Sequence, residues 1–206
     1  MDKLTMLNEE LTSLDTIRKI KVNDYIKDIK KLIDHQKITP DTLDSIRQRL
    51  LLLATQKELF NAEVFPVKDG DGTSSLYLLS EESDHTLALY VVSELKGNVS
   101  PPHNHTTWAV IAGIAGEEIN KFYKISKSTN EPGKATIQEY KSEIVMANTG
   151  IALMPDEVHS IHCLTDTPTL NFHFYGKSIE HLPNRKAFNM QLGTYKIFPA
   201  NPHIYK

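Results

Sequence analysis

Three histidines have the residue type and spacing of a metal site. His103 and His105 are separated by one residue, and His159 follows His105 by 54 positions. Residues two apart in a β-strand share a face, so the first two imidazoles can point at one centre inside a barrel. Imidazole nitrogen binds iron, zinc, copper and nickel alike. The spacing therefore predicts a metal site and leaves the metal open.

A short strand and a proline turn precede the third histidine. Residues 150–154 have a β-type pattern, Pro155 and Asp156 indicate a turn, and His159 begins the next predicted strand. An imidazole delivered from an adjacent strand would complete a facial site of three nitrogens with open coordination positions. The alternative is three histidines that lie separately in the core or on the surface.

The elements that must position these residues are β-type. Nine short runs extend from Leu76 to Phe198, and turn signals such as Lys96-Gly97-Asn98 separate many of them. Helical patterns do not interleave with the runs, which indicates a sandwich or a barrel. The residues from 63 to 206 are therefore predicted to be a mainly β domain that carries the metal site.

The first 62 residues have a different pattern, without glycine and with apolar residues at helical spacing. The sequence Thr39-Pro40-Asp41 predicts a helix start, because it offers a hydroxyl cap, a first-turn proline and an early acid. Two or three amphipathic helices are expected in residues 1–62, as a subdomain packed on the barrel. The apolar positions that set the first period are Leu14, Ile17, Ile26, Ile29 and Ile33.

Composition excludes several classes of function. The 206 residues carry a net charge of −3 with 24% charged and 40% hydrophobic residues, which argues against a nucleic-acid surface and against disorder. No apolar run approaches membrane-spanning length, and no secretory leader pattern precedes Glu10. Cys163 is the single cysteine, so no disulfide is expected. We expect a cytoplasmic protein without nucleic-acid or membrane partners.

Two segments resemble the motifs of the cupin superfamily. The first is Gly97 followed by His103 and His105, and the second runs from Gly150 through Pro155 to His159. This resemblance implies a cupin double-stranded β-helix, or jelly-roll barrel, with an N-terminal helical subdomain. Many cupins add a glutamate ligand soon after the histidine pair, but here Trp108, Ala109 and Val110 stand at those positions. A three-histidine site is typical of the cysteine dioxygenase-like branch.

Two longer stretches are similar to thiol dioxygenases. Residues 102–113 resemble the bacterial 3-mercaptopropionate dioxygenases, and residues 171–176 resemble the Ser-x-His-x-Tyr triad of the family, with Asn171 in place of serine. The resemblance implies iron(II) as the cofactor, held by His103, His105 and His159. It also implies that the Tyr175 hydroxyl reaches towards the bound substrate or oxygen, and that His173 orients it.

The reaction implied by the resemblance adds both atoms of O2 to the sulfur of a small thiol and gives a sulfinate. The resemblance implies a thiol of the cysteine or 3-mercaptopropionate type. Residues 74–78 have neither the arginine of cysteine dioxygenases nor the glutamine of the mercaptopropionate enzymes, so this strand indicates neither substrate. Arg185 is the candidate partner for a substrate carboxylate. A monomer or a weak homodimer is typical of the family.

Two other functions fit part of the same pattern. The three-histidine cupin site also serves dioxygenases that cleave diketones, although the pair His173 and Tyr175 favours the thiol reaction. A cupin without catalysis, used as a small-molecule sensor, is the alternative from a different class.

Overall fold

Two helices come before the strands in the computed structural model, which describes residues 3–34, 37–128, 131–197 and 203–206. The helices are α1 (Lys3–Ile33) and α2 (Pro40–Ala54). In the described residues the strands are β1 (Ser74–Ser80), β2 (Thr86–Glu94), β3 (Ala109–Ala115), β4 (Glu117–Ser128), β5 (Ala135–Met146), β6 (Gly150–Leu153), β7 (Val158–His162), β8 (Thr169–Lys177), β9 (Lys186–Asn189), β10 (Thr194–Ile197) and β11 (Ile204–Tyr205). A short 3₁₀-helix spans Ile179–His181.

The second helix begins where the sequence predicts. The Thr39 hydroxyl accepts a hydrogen bond from the Thr42 backbone N–H at 3.2 Å, and Pro40 occupies the first turn, where its missing N–H costs nothing. One face of each helix is buried, through Ile29 on α1 and Ile46 on α2. No helix in the described ranges combines the length and the apolar character needed to cross a membrane.

Most of the described strands form the two sheets of a jelly roll, and β9 and β10 pair as a separate two-stranded ladder. The larger sheet has the order β11-β1-β2-β8-β3-β6, and a smaller sheet has the order β5-β4-β7. The segment between β2 and β3 joins the edge of the smaller sheet, because Val99 bridges His162 and His103 bridges His159. The chain thus passes repeatedly between the two sheets, which confirms the predicted fold class of a mainly β, jelly-roll barrel with a helical N-terminal part.

The large sheet is buried on both faces. On β8, Phe172 and Phe174 point outward into a hydrophobic core that they share with α1 and α2. The alternate residues of this strand, among them Tyr175, point in the opposite direction, into the barrel. The helices therefore cover the outer face of the sheet whose inner face lines the barrel. The boundary at residue 62 stays a prediction.

Two strands lie outside the nine runs that the sequence analysis predicts. These are β9, which begins at Lys186 and ends at Asn189, and β11, which has two residues and pairs in parallel with β1. Both are too short to show a period of two, since β9 has four residues and β11 has two. The last predicted run ends at Phe198, which lies outside the described residues, and β10 ends at Ile197.

Candidate metal centre

The segment that carries His103 and His105 is a loop, not the strand that the sequence analysis expects. It lies between β2 and β3, and Pro101 and Pro102 lack the N–H groups that a ladder needs. At Thr106 the backbone has a φ of 58°, in the left-handed region, which turns the chain directly after His105. The two imidazoles therefore converge because the chain bends, not because they alternate along a strand.

Two strands hold this loop from either side. On one side, His103 and His159 exchange backbone N–H···O hydrogen bonds of 2.8 and 3.0 Å. On the other side lies β9, where the Lys186 N–H donates to the Asn104 side-chain oxygen at 2.8 Å. The Phe188 N–H also donates to the Pro102 carbonyl, at 2.8 Å. The strand β9, which the sequence does not predict, thus holds the loop that carries His103 and His105 in place.

The three predicted histidines come together in the barrel interior. Their ring centroids lie 4.8–5.0 Å apart, and their side chains are buried at 4%, 1% and 0% exposure for His103, His105 and His159. One ring nitrogen from each lies within 4.8 Å of the other two. The Nε2 atoms of His105 and His159 are 3.4 Å apart. These residues form a buried cluster that can hold a metal ion.

Hydrogen bonds fix the tautomers of two of the rings. His103 Nδ1 lies 2.9 Å from the Pro101 carbonyl, and His159 Nδ1 lies 2.8 Å from the Asn120 side-chain oxygen. Both oxygens only accept, so both rings carry their proton on Nδ1. The amide of Asn120 is oriented by its NH₂ group, which donates to Glu118 at 2.6 Å. The Nε2 atoms of His103 and His159 therefore carry no proton and present a lone pair, which is the form that ligates a metal.

The spacing of the nitrogens fits a metal ion. Two nitrogens at 2.0–2.1 Å from one ion, at angles between octahedral and tetrahedral, lie roughly 2.9–3.4 Å apart. The separation between His105 and His159 agrees with this range. Nδ1 of His105 is buried and has no hydrogen-bond partner in the described part of the chain. A ligated ion would therefore supply the orientation that the protein does not give to this ring.

Burial keeps these imidazoles neutral. Desolvation, followed by the charge of Arg185, lowers the pKa of His103 to about 3. Desolvation and the neighbouring histidines hold the pKa values of His105 and His159 well below the usual range. Neutral imidazole is the ligating form, so the cluster presents nitrogens that can bind a metal at neutral pH.

The other predicted residues lie beside the cluster. His173 Nδ1 is 3.0 Å from the Tyr175 hydroxyl, and the Tyr175 ring centroid is 5.2 Å from that of His105. Burial raises the pKa of Tyr175, so the phenol keeps its proton at neutral pH. Arg185 is only 6% exposed, and its charge lowers the pKa values of all three clustered histidines. It directly precedes β9, which explains how a loop residue reaches the interior.

A buried polar network that the sequence does not predict surrounds His159. It contains Asn120 and Glu118 on β4, and the Asn171 side chain also donates to Glu118, at 2.6 Å. Asn171, at the position where the resembled triad has serine, thus binds this carboxylate. The only signal in the sequence is the period of two between Glu118 and Asn120, within a run of surface-like charges.

No protein-family model and no curated protein matches this chain. Similar solved structures include oxalate oxidase in complex with the substrate analogue glycolate, at 15% identity and a TM-score of 0.42 over 58% of this chain. KdgF from Halomonas sp. matches at 11% identity and 0.41, over 58% of this chain and 94% of that one. The cupin_2 domain of an XRE family transcriptional regulator from Enterobacter cloacae matches at 13% identity and 0.37, over 52% and 98%.

The match spans 59% of the oxalate oxidase chain, less than two thirds of its length. All three proteins have the cupin fold. Identities of 11–15% and TM-scores of 0.37–0.42 establish no shared activity.

Replacing His159 with alanine should abolish metal binding, because it removes one of three converging nitrogens. His162 on the same strand is the matched control, since it is only half-buried and hydrogen-bonds Ser160 at 2.8 Å. We expect the affinity for cobalt(II) to fall by at least about 100-fold in H159A and to stay unchanged in H162A. Competition titration with a chelator measures both, and equal affinities in the two variants would contradict the assignment.

Acid should destabilise the metal-free chain through its buried histidines. Burial, with a contribution from His103, lowers the pKa of His173 to about 3, whereas the unfolded side chain titrates near 6.5. The unfolded state therefore binds this proton first, so stability is present above about pH 6.5 and is lost as the pH falls towards 3. One such group contributes about 1.4 kcal/mol per pH unit in this window.

The variant H173Q isolates that contribution. Its free energy of unfolding, measured with urea between pH 6 and 4, should fall less steeply than that of the parent by about 1.4 kcal/mol per pH unit. Equal slopes in the two proteins would mean that His173 is protonated in the folded state as readily as in the unfolded one.

Proposed function

We propose that this chain is a metal-dependent enzyme, a mononuclear non-haem iron(II) thiol dioxygenase. The observation that carries the proposal is the pair of His173 and Tyr175, hydrogen-bonded at 3.0 Å, beside a cluster of three buried neutral imidazoles. The reaction converts a thiol and O2 into a sulfinic acid. The sulfur is oxidised, both oxygen atoms end on it, and dioxygen accepts all the electrons, so no further reductant is required.

The charge of the site supports an anionic substrate. His103, His105 and His159 are neutral, so they cancel none of the charge of a divalent ion. When bound, iron(II) would supply open coordination positions for a thiolate and for dioxygen. The guanidinium of Arg185 adds a further positive charge in the same buried space. A thiol that also carries a carboxylate matches this arrangement.

His173 prepares Tyr175 to donate a hydrogen bond. An unpaired buried N–H is rarer in proteins than an unpaired acceptor, and Nε2 of His173 is buried without a partner among the described residues. The His173 proton is therefore placed on Nδ1, where it donates to the Tyr175 oxygen. The phenolic hydrogen then remains available to the substrate or to oxygen, and the raised pKa of Tyr175 keeps it in place.

A small thiol of the cysteine or 3-mercaptopropionate type is the substrate that we propose, and Arg185 rather than β1 would hold its carboxylate. Leu76 and Leu78 point into the barrel core that also contains Tyr175. These apolar side chains offer no partner to a carboxylate, so we assign that role to Arg185. The location in the cytoplasm stays a prediction, as does the oligomeric state of a monomer or weak homodimer.

Dioxygen uptake tests the proposed reaction. The chain is loaded with iron(II) under anaerobic conditions and mixed with 3-mercaptopropionate, cysteine, cysteamine or mercaptosuccinate. We expect rapid uptake with a carboxylated thiol and the matching sulfinate as product, but slower uptake with cysteamine, which has no carboxylate. H159A is the control and should consume no oxygen. Iron bound at one ion per chain with no uptake for any thiol would overturn the proposal in favour of a diketone-type dioxygenase or a sensor.

Replacing Tyr175 with phenylalanine separates metal binding from turnover. The ring is kept, so iron affinity should remain within about twofold, while kcat should fall by about 10²-fold or more through loss of one preorganised donor. Tyr123 provides the matched control, because its buried hydroxyl contacts Ser160 at 2.9 Å instead of the pair. A Y175F protein with the turnover of Y123F would exclude the hydroxyl from the reaction.

A further inference from the structure

Two glutamates are buried side by side next to the metal centre. Glu94 ends β2 at 4% exposure, and Glu118 lies on β4 at 0%. An oxygen of each lies within 4.8 Å of the other and of the Cys163 sulfur. Two carboxylates this close in the interior form an expensive arrangement unless their charge is reduced.

The groups that contact the pair are neutral donors. Asn98 donates to one oxygen of Glu94 at 2.6 Å, and the Cys163 thiol donates to the other at 3.2 Å. Glu118 accepts from the amides of Asn120 and Asn171, both at 2.6 Å. Neutral donors stabilise one negative charge but do not balance two.

The electrostatics agree with a single charge. Burial and the charge of Glu94 raise the pKa of Glu118 well above the usual range. Burial also raises the pKa of Glu94, and an oxygen of each carboxyl group lies within 4.8 Å of the other. Like charges in contact cannot both ionise, and such a pair holds one proton in common.

A chain of hydrogen bonds connects the pair to one proposed metal ligand. Glu118 accepts from the NH₂ group of Asn120, whose oxygen then faces His159 Nδ1 at 2.8 Å. If Glu118 did not accept this hydrogen bond, the Asn120 amide would lose the contact that orients its oxygen towards His159. The proton of His159 could then move to Nε2. A negative charge at the end of such a chain also raises the basicity of the ligand.

We propose that Glu94 and Glu118 share one proton and together act as a positioning pair for His159, with one net negative charge that orients Asn120. The inference rests on the metal centre but not on the thiol reaction. It extends the site by residues that touch neither metal nor substrate.

Glutamine substitutions follow directly from a shared proton. In E94Q, the new NH₂ group replaces the shared proton and donates to an ionised Glu118, so the charge of the pair is unchanged. In E118Q, the NH₂ group donates to an ionised Glu94, and Asn171 can flip because its side-chain oxygen has no partner in the described residues. Only E94Q/E118Q removes the charge.

Infrared spectroscopy of the metal-free chain in D₂O tests the shared proton. We expect the carbonyl band of a protonated carboxylic acid at pH 7 in the parent, and its loss in both E94Q and E118Q. The exposed neighbour Glu117 gives the control E117Q, in which the band should persist. A parent without this band, or a band that survives in either buried single variant, would overturn the proposal without any need for a folded double variant.

Cobalt(II) affinity tests the positioning role. The single variants E94Q and E118Q should bind within about twofold of the parent, and E94Q/E118Q should bind about tenfold more weakly or worse. E94Q/E117Q is the matched double control, because it keeps the buried charge and should behave like E94Q. Equal affinity in both double variants, or single variants as weak as E94Q/E118Q, would overturn the positioning role, whatever the chain does with thiols.

Discussion

The two backbone hydrogen bonds between His103 and His159 are the interaction on which the candidate site depends. They join residues 56 positions apart, at 2.8 and 3.0 Å, and they attach the loop before β3 to the first residues of β7. Both hydrogen bonds come from residues whose side chains belong to the cluster. The backbone pairing that adds this loop to the edge of the smaller sheet therefore also brings the side chains of His103 and His159 together.

Most of the candidate site follows from the sequence, because its signals are local or have a simple period. His103, His105 and His159 are placed by their turns, and the side chains of His173 and Tyr175 share a face because they are two apart on β8. The spacing and the residue types are enough to predict the cluster, because they place the ligating and hydrogen-bonding side chains on the inner side of one barrel. The helix start at Thr39 is equally local, and it forms where the cap and the proline stand.

The remaining features depend on contacts between distant parts of the chain. Glu118 looks like a surface charge beside Glu117, and its interior position becomes apparent only from its contacts with Asn171 and with Glu94, 24 positions earlier. The strand β9 has no apolar period, and it pairs with β10 on one side and contacts the loop of His103 on the other. The sequence predicted the histidine pair in a strand because spacing alone does not distinguish a bent loop from an extended segment when two prolines come before it.

The two faces of β8 link the helical layer to the chemistry of the barrel. Phe174 contacts Tyr25 of α1 edge to face at 5.3 Å, while the adjacent His173 and Tyr175 face the clustered imidazoles. A shift of this strand by one residue would exchange the two faces, with phenylalanine in the barrel and imidazole and phenol against the helices. The aromatic contacts of the helices thus hold β8 in register. A single-residue insertion or deletion within β8 would therefore disrupt both the core and the site at once.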